Sequence, residues 1–301
     1  MRDYRLYISS WLFLLLKKGF RFLPDKIYLR IMFFIWTGKR LHLDDPKTFS
    51  EKLQWLKLYD RKPVYALMVD KFEVKKIVAE IIGKEYIIPT LGVWDSVPEI
   101  DWESLPDQFV IKCTHDSGSV LICKNKATFD IEDAKRRLEI WIKRDYFRNG
   151  REWPYKNVPH RIIAEEYIQP DLITNDLPDY KFFCFNGKPK LCQVISGRSQ
   201  KEVIDFFDSN WEHQPFHEPW YFSFAEAMPQ RPVNFEKMWN LAEKLAVDKP
   251  FARIDFYDVN SRVYFGEITF FPTSGVGGFS PKEWDEVLGE WIQLPSHKLT
   301  D

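Results

Sequence analysis

Near residue 83 the hydrophobic pattern of this 301-residue chain changes period, and that change limits the fold more than any other feature. Up to Gly83 the apolar residues recur at helical spacing. Thr48 and Glu51 form a capping-box pattern ahead of Leu53, Trp55, Leu56 and Leu58, and Asp70 with Glu73 repeats it ahead of Val74, Ile77, Val78 and Ile81. Gly83 then reads as the residue that ends the helix. From Gln108 onward the period falls to two, with short turns between strands. Phe109–Cys113 and Val120–Lys124 read as a hairpin around residues 114–119, and a helix capped by Asp130 runs toward Lys143. A strand is expected over Arg161–Ile168, a hairpin at Asn186-Gly187 joining Tyr180–Phe185 to Leu191–Ile195, and a helix over Phe235–Val247. A last hairpin pairs Phe251–Tyr257 with Val263–Phe270, and a C-terminal helix begins near Pro281. Helices first, then mostly antiparallel strands with interspersed helices, is an α+β plan.

Composition narrows the function classes. Lys plus Arg less Asp plus Glu is 43 − 44 = −1, so no chain-wide basic field argues for a nucleic-acid partner. Aromatic residues make up 17% of the chain, ring surface that must be buried in a core, a ligand cleft or a membrane boundary. Cys113, Cys123, Cys184 and Cys192 sit in apolar runs without metal-site spacing and read as buried free thiols. The apolar stretches Ile8–Leu16 and Ile27–Trp36 are too short to span a bilayer, and the Lys17, Lys18 and Arg21 that follow the first do not suit a cleaved signal peptide. A cytoplasmic location is expected. Both stretches suit packing on the body, and an aromatic, Lys/Arg-flanked helix also suits peripheral contact with a membrane through residues 4–36.

Three segments carry candidate chemistry. In the last hairpin Arg253, Asp255 and Tyr257 share one face, and Glu267 and Thr269 alternate with Ile268 and Phe270. A turn over Asn260, Ser261 and Arg262 puts Asp255 directly opposite Glu267, ~5 Å apart at Cβ. Like charges so placed are tolerated when a cation lies between them, and oxygen-only ligands suit Mg²⁺; the same alternation also suits a plain half-exposed hairpin. Phe109-Val-Ile-Lys112 is followed by the small-residue loop Cys113-Thr-His115-Asp-Ser117-Gly118-Ser119, whose N–H groups can wrap phosphates beside a point charge on Lys112; a plain hairpin turn reads equally from those residues. Ile162-Ile-Ala-Glu165-Glu166-Tyr167-Ile168 can offer an unpaired strand edge to adenine, or serve as a charged edge strand against aggregation.

The order of these pieces resembles the ATP-grasp superfamily. The motifs are Asp70-Lys71, Ile88-Pro89, F-V-I-K ending at Lys112, E-E-Y-I at Glu165–Ile168, A-R-I-D at Ala252–Asp255 and G-E-I-T at Gly266–Thr269, with Pro272 beyond. P-K-T-F-S-E-K-L-Q-W-L from Pro46 to Leu56 and D-Y-K-F-F-C-F-N-G-K-P from Asp179 to Pro189 extend the resemblance to the TupA-like branch, associated with teichuronopeptide and polysaccharide biosynthesis. It implies a helical N-terminal region over 1–83 and two α+β subdomains, 84–168 with the phosphate loop and 169–301 with the metal-binding hairpin, clasping ATP.

The resemblance also implies roles. Lys112 and Lys71 match phosphate-binding basic residues, His115, Ser117, Gly118 and Ser119 the flexible loop, and Glu165, Glu166, Tyr167 and Ile168 the adenine hinge, with the backbone of Glu166 and Ile168 as partners. Arg253 matches an arginine at the reacting phosphoryl group, and Asp255 and Glu267 match two Mg²⁺ ligands. Thr269 stands where the family usually has asparagine. Asp171, Asp176 and Asp179 are open candidates for the ribose, and Lys181 is a candidate for the phosphates or an ordinary hairpin lysine. The implied reaction activates a carboxylate with ATP to an acyl phosphate that an amine then attacks. The implied substrates are a small-molecule or lipid-linked sugar acid and an amino acid or peptide. A glycosyltransferase and a non-catalytic ATP-binding scaffold are the alternatives. Phe206–Phe224, with Asp208, Trp211, Trp220 and Tyr221, suits either sugar stacking or core packing.

Overall fold

The computed structural model describes residues 22–170, 177–196, 203–219 and 228–296. Residues 4–21, including the stretch Ile8–Leu16, and Asp171, Asp176, Trp220 and Tyr221 lie outside them. The first described helix, α1 (Asp25–Thr37), follows Pro24 and ends at Gly38, whose φ of 69° lets its N–H turn back to the Phe34 carbonyl at 2.8 Å. Tyr28, Leu29, Met32 and Phe33 bury one face of it, while Ile27, Phe34 and Trp36 stay exposed, so α1 packs on the body through a single stripe. Among the described residues no helix is long and apolar enough to cross a membrane.

Helix α2 (Phe49–Tyr59) opens on the expected capping box: Glu51 N–H donates to Thr48 Oγ1 and Thr48 N–H to Glu51 Oε2, both at 3.2 Å. Helices α3 (Val64–Val69) and α4 (Glu73–Ile81) follow. The second box is only half formed. Asp70 Oδ1 accepts from the N–H groups of Phe72 and Glu73, but Glu73 Oε1 accepts from Arg161 Nη2 at 2.9 Å instead of reaching back to the chain. A guanidinium brought in from far along the sequence outcompetes the local cap.

Two antiparallel sheets make up the rest. The first comprises β1 (Thr90–Trp94), β2 (Phe109–Cys113), β3 (Val120–Cys123) and β4 (Ile162–Glu166), in the order β1-β4-β2-β3. Helix α5 (Ile131–Trp141), capped by Asp130, packs on it through Ala134, Leu138 and Trp141. The second sheet comprises β5 (Asp179–Phe185), β6 (Lys188–Ser196), β7 (Val203–Phe207), β8 (Phe251–Val259) and β9 (Arg262–Thr269), in the order β7-β6-β5-β8-β9. Positive φ at Asn186 and Gly187 closes β5 onto β6 in two residues, as the Asn-Gly pair requires. Strands β1 and β7 are not expected from the sequence: each is five residues long and neither alternates cleanly, β1 being interrupted by Gly92 and β7 reading Val-Ile-Asp-Phe-Phe.

Phenylalanines fill both sides of the second sheet. On one side Phe182 meets Phe235 and Trp239 of α6 (Phe235–Ala246), each at 5.9 Å between centroids. On the other, Phe49 of α2 stands edge-on to Phe251 at 4.9 Å and to Phe279 at 5.6 Å. Each buried phenylalanine contributes roughly 1.5–3 kcal/mol, so this core dominates the fold. The N-terminal helices share it, whereas the first sheet has a smaller core of its own. The C-terminal helix α7 (Glu283–Trp291) closes over α2. Trp211 stacks on Phe207 at 4.1 Å and packs against the main core, so this part of the aromatic 206–224 segment serves packing. All four cysteines are free and buried.

Candidate active site

The terminal hairpin brings Asp255 opposite Glu267, but by a different route from the three-residue turn expected above. Its turn has two residues, Asn260 and Ser261, with φ of 51° and 61°, so Val259 faces Arg262. Continued without interruption, that register pairs Asp255 with Gly266 and Ile254 with Glu267, which aims the glutamate at the apolar core. A bulge intervenes: Phe256 faces Phe265 and Asp255 faces Glu267, leaving Gly266 as the extra residue. Glycine suits the position because an added Cβ would lie 3.1 Å from the Asp255 carbonyl oxygen.

On that face one row runs across the sheet from Gln193 through Lys181 and Asp255 to Glu267. It begins where the phenylalanine rows end, since Phe251, Arg253 and Asp255 alternate along a single face of β8. The acids are held together by cations from the protein. Arg253 donates from Nε to Asp255 Oδ1 at 2.8 Å, and from Nη2 to Asp255 Oδ2 at 2.7 Å, Glu267 Oε1 at 2.9 Å and Thr269 Oγ1 at 3.1 Å. Lys181 Nζ lies 2.5 Å from Asp255 Oδ2 and 2.6 Å from Asp179 Oδ2. Burial alone would raise the pKa of Glu267, but Arg253, Lys181 and Lys71 outweigh it and pull it down to about 2. Burial alone would likewise lower the pKa of Arg253, and the Asp255 and Glu267 carboxylates instead raise it.

Two carboxylates and a hydroxyl therefore converge on one cationic group, the guanidinium. That oxygen-only donor set is the kind that suits Mg²⁺, with Arg253 occupying the place between the acids. Among the described residues no group of three or more His, Cys, Asp and Glu side chains is arranged to hold a metal, so a third protein donor here is a hydroxyl, from Thr269.

Across from β9, the edge of the second sheet, the first sheet presents lysines. Lys112 on β2 and Lys75 on α4 both pair with Glu165 on β4, Lys75 Nζ at 2.5 Å from Oε1. Their pull outweighs burial and holds Glu165, only 4% exposed, below the usual carboxylate range. Lys71, Lys75, Lys112 and Glu165 face Phe265 and Gly266 across a crevice of about 10 Å³. The strand is not the edge expected from the sequence: β4 lies between β1 and β2, and of the expected hinge residues Glu165 turns its side chain to the lysines while Glu166 N–H donates to the Pro89 carbonyl at 3.0 Å. Tyr167 and Ile168 follow the strand, half-buried.

The loop over residues 114–119 is tied down at several points. Lys71 N–H donates to the Thr114 carbonyl at 3.1 Å, Lys71 Nζ to the Asp116 carbonyl, and Ser119 Oγ to Asp116 Oδ1. Gly118 turns it with a φ of 86°. His115 is buried and stacks on His160 at 3.8 Å, so its ring packs beneath the loop. Burial, then His160 and Lys71, push its pKa down to about 4.

Where the loop meets the second sheet there is a cavity of about 460 Å³, lined among others by Ser117, Lys181, Glu218, Arg253, Glu267 and Thr269. Sequence reasoning missed Lys75, Gln193 and Glu218. Lys75 follows Lys71 by four residues, a helical spacing that could have flagged it. Glu218 has no such signal, because an isolated antiparallel bridge between His217 and Ser280, far apart in sequence, fixes the segment that carries it.

A family model described as TupA-like ATPgrasp matches residues 51–293. No curated protein matches the chain. Among solved structures, D-alanine–D-alanine ligase from Bacillus anthracis complexed with ATP is 16% identical with a TM-score of 0.39, over 68% of this chain and 54% of its own. The same enzyme from Helicobacter pylori is 16% identical with a TM-score of 0.42, over 81% and 69%, and D-cycloserine synthetase DcsG is 13% identical with a TM-score of 0.40, over 76% and 71%. The chain spans about half the length of the Bacillus anthracis ligase. Residues 51–293 take in both sheets and the cavity at their junction, and the chain belongs to the TupA-like ATP-grasp family.

Proposed function

We propose that this protein is an ATP-dependent carboxylate–amine ligase, joining a sugar acid such as a uronic acid to an amino acid or peptide in cell-surface polysaccharide assembly. The observation that carries the reading is the convergence of Asp255, Glu267 and Thr269 on one cation, with Lys71, Lys75 and Lys112 across a narrow crevice. Phosphoryl transfer needs mainly positioning and neutralisation of charge, and opposed cations and oxygen donors supply both without a covalent nucleophile. In this assignment the clasping units are residues 84–168 and 169–301, with residues 1–83 as a helical N-terminal region.

Asp255, Glu267 and Thr269 would hold Mg²⁺, which when bound would neutralise phosphate oxygens. Lys112 and Lys71, with the N–H groups of the loop containing His115, Ser117, Gly118 and Ser119, bind the phosphates in the same assignment, and Arg253 faces the reacting phosphoryl group. Lys181, with Arg253, opposes the burial that raises the pKa of Asp255, through its 2.5 Å contact. In the same assignment the backbone beyond Glu166, whose own N–H is taken by Pro89, meets adenine at Tyr167 and Ile168. A crevice of about 10 Å³ is far below the ~300 Å³ of the smallest usual ligand pockets, so nucleotide entry must part the two sheets and draw Lys112 off Glu165. The 460 Å³ cavity then receives the carboxylate and the amine.

The test is incubation with Mg-ATP, glucuronic or galacturonic acid and pooled amino acids, following ADP and the mass of any amide. The expected result is ADP formed one for one with an amide. Turnover of a nucleotide sugar without ADP would identify a glycosyltransferase, and ATP binding without turnover would identify a scaffold; either result sinks the ligase reading.

A further inference from the structure

Around the large cavity, buried acids and cations can be matched one against another. Asp255 has Arg253 and Lys181, Glu267 has Arg253, and Glu165 has Lys75 and Lys112. Glu152 is buried beside the positive charge of Lys57, whose Nζ also donates to the Ser274 carbonyl at 2.8 Å. Glu218 differs. It is 7% exposed, and among the described residues its hydrogen-bond partner is an uncharged amide: Gln193 Nε2 donates to Glu218 Oε2 at 3.1 Å.

A carboxylate buried against an amide alone is costly unless a cation comes to it. Arg253 and Lys181 act on Glu218 from a distance, but both are committed to Asp255. Burial outweighs them and raises the pKa of Glu218, so it takes up a proton more readily than an ordinary carboxylate. Gln193 lies opposite Lys181 in the row that runs on to Asp255 and Glu267, so Glu218 sits at the end of that row farthest from β9.

We propose that the Glu218 carboxylate is the subsite for the amine substrate, binding it as an ammonium ion and removing one proton to release the nucleophile. The assignment rests on the ligase reading. The amine reaches the site as R–NH₃⁺, and one proton passes to Glu218. The nitrogen lone pair then attacks the acyl phosphate carbon, the C–N bond forms, and the C–O bond to phosphate breaks with its electron pair leaving on the phosphate. The second nitrogen proton leaves with the phosphate, and Glu218 returns its own to solvent. Gln193 positions the carboxylate through its hydrogen bond.

Glu218→Gln tests this, because it keeps shape and hydrogen bonding while removing charge and basicity. Wild type and variant are each given Mg-ATP and glucuronic or galacturonic acid, with either pooled amino acids or hydroxylamine. Hydroxylamine is uncharged at neutral pH and needs no base, so hydroxamate formation reports the acyl phosphate independently of Glu218. In the variant, the ratio of amide to hydroxamate should fall on the order of 10²-fold, the scale of a lost general base. An unchanged ratio overturns the proposal, as does loss of both products from the variant while wild type makes both, since Glu218 would then serve the ATP half-reaction or the fold. Hydroxamate and amide absent from wild type as well would refute the ligase reading, and this assignment with it.

Discussion

The two sheets are built alike and charged oppositely. Both are antiparallel, and both turn a charged face toward the cleft between them. The first offers Lys71, Lys75 and Lys112 with Glu165 as the acid between two of them; the second offers Asp179, Asp255 and Glu267 with Arg253 and Lys181 between them. The first group carries a formal charge of +2 and the second of −1, so neither is neutral by itself. The surplus differs in sign: cations on one side, oxygen donors on the other. A ligand carrying both phosphates and a divalent cation would meet both surpluses at once, whereas a simple anion or a simple metal ion would meet one. The supports differ as well. The acidic row stands on the phenylalanine core shared with the N-terminal helices, which α4, beside Lys71 and carrying Lys75, joins through Val74 and Val78, whereas Lys112 stands on the small separate core of the first sheet.

That asymmetry can be broken most forcibly on the rigid side. Arg253→Met leaves Asp255 and Glu267 facing one another with Lys181 as the remaining contact cation, and should cost about 3–5 kcal/mol of unfolding free energy in urea titration. On the other side, Lys112→Ala leaves Glu165 paired with Lys75, so the fold should hold while ADP formation falls on the order of 10²–10³-fold. A melting temperature lowered as far as that of Arg253→Met would contradict the idea that the two sides carry different loads.

Acid separates them further. His115, beneath the loop of the first sheet, has its pKa lowered to about 4 from the ordinary 6.5. The unfolded chain therefore takes up its proton first, and the contribution is complete above pH 6.5 and lost as pH falls from there toward 4, about 3 kcal/mol in all. Glu267, lowered to about 2 from 4.5, loses its contribution only as pH falls through that lower window. Unfolding free energies measured from pH 7 to 4 should fall in wild type and stay flat in His115→Phe; parallel slopes would exclude the imidazole as the source. The smallest effect is expected at the bulge. Gly266→Ala pushes a methyl group against the Asp255 carbonyl and should cost about 1–2 kcal/mol, with weaker binding of Mg-ATP by calorimetry.

Local chemistry made much of this legible beforehand. The Thr48–Glu51 box, the Asn186-Gly187 turn and the alternation in the last hairpin each act within a few residues, so helix start, strand pairing and face could be read from the chain. Asp255 and Glu267 were paired correctly from a turn that does not exist, because a shorter turn plus a bulge gives the same register. Short strands without a clean alternation of apolar and polar residues, such as β1 and β7, had no local signature.

What the amino-acid order alone determined was the sequence of elements, the polar face of each strand and the family pattern running through them, all properties of spacing along one chain. Tertiary structure decided which charges neutralise which: that Arg253 lies between the acids, that Lys75 shares Glu165 with Lys112, that His115 is buried and that Glu218 comes in beside Gln193. Coulomb and hydrogen-bond partners are set by distance through space, and residues as far apart as 75 and 165 acquire a distance only when the chain has folded.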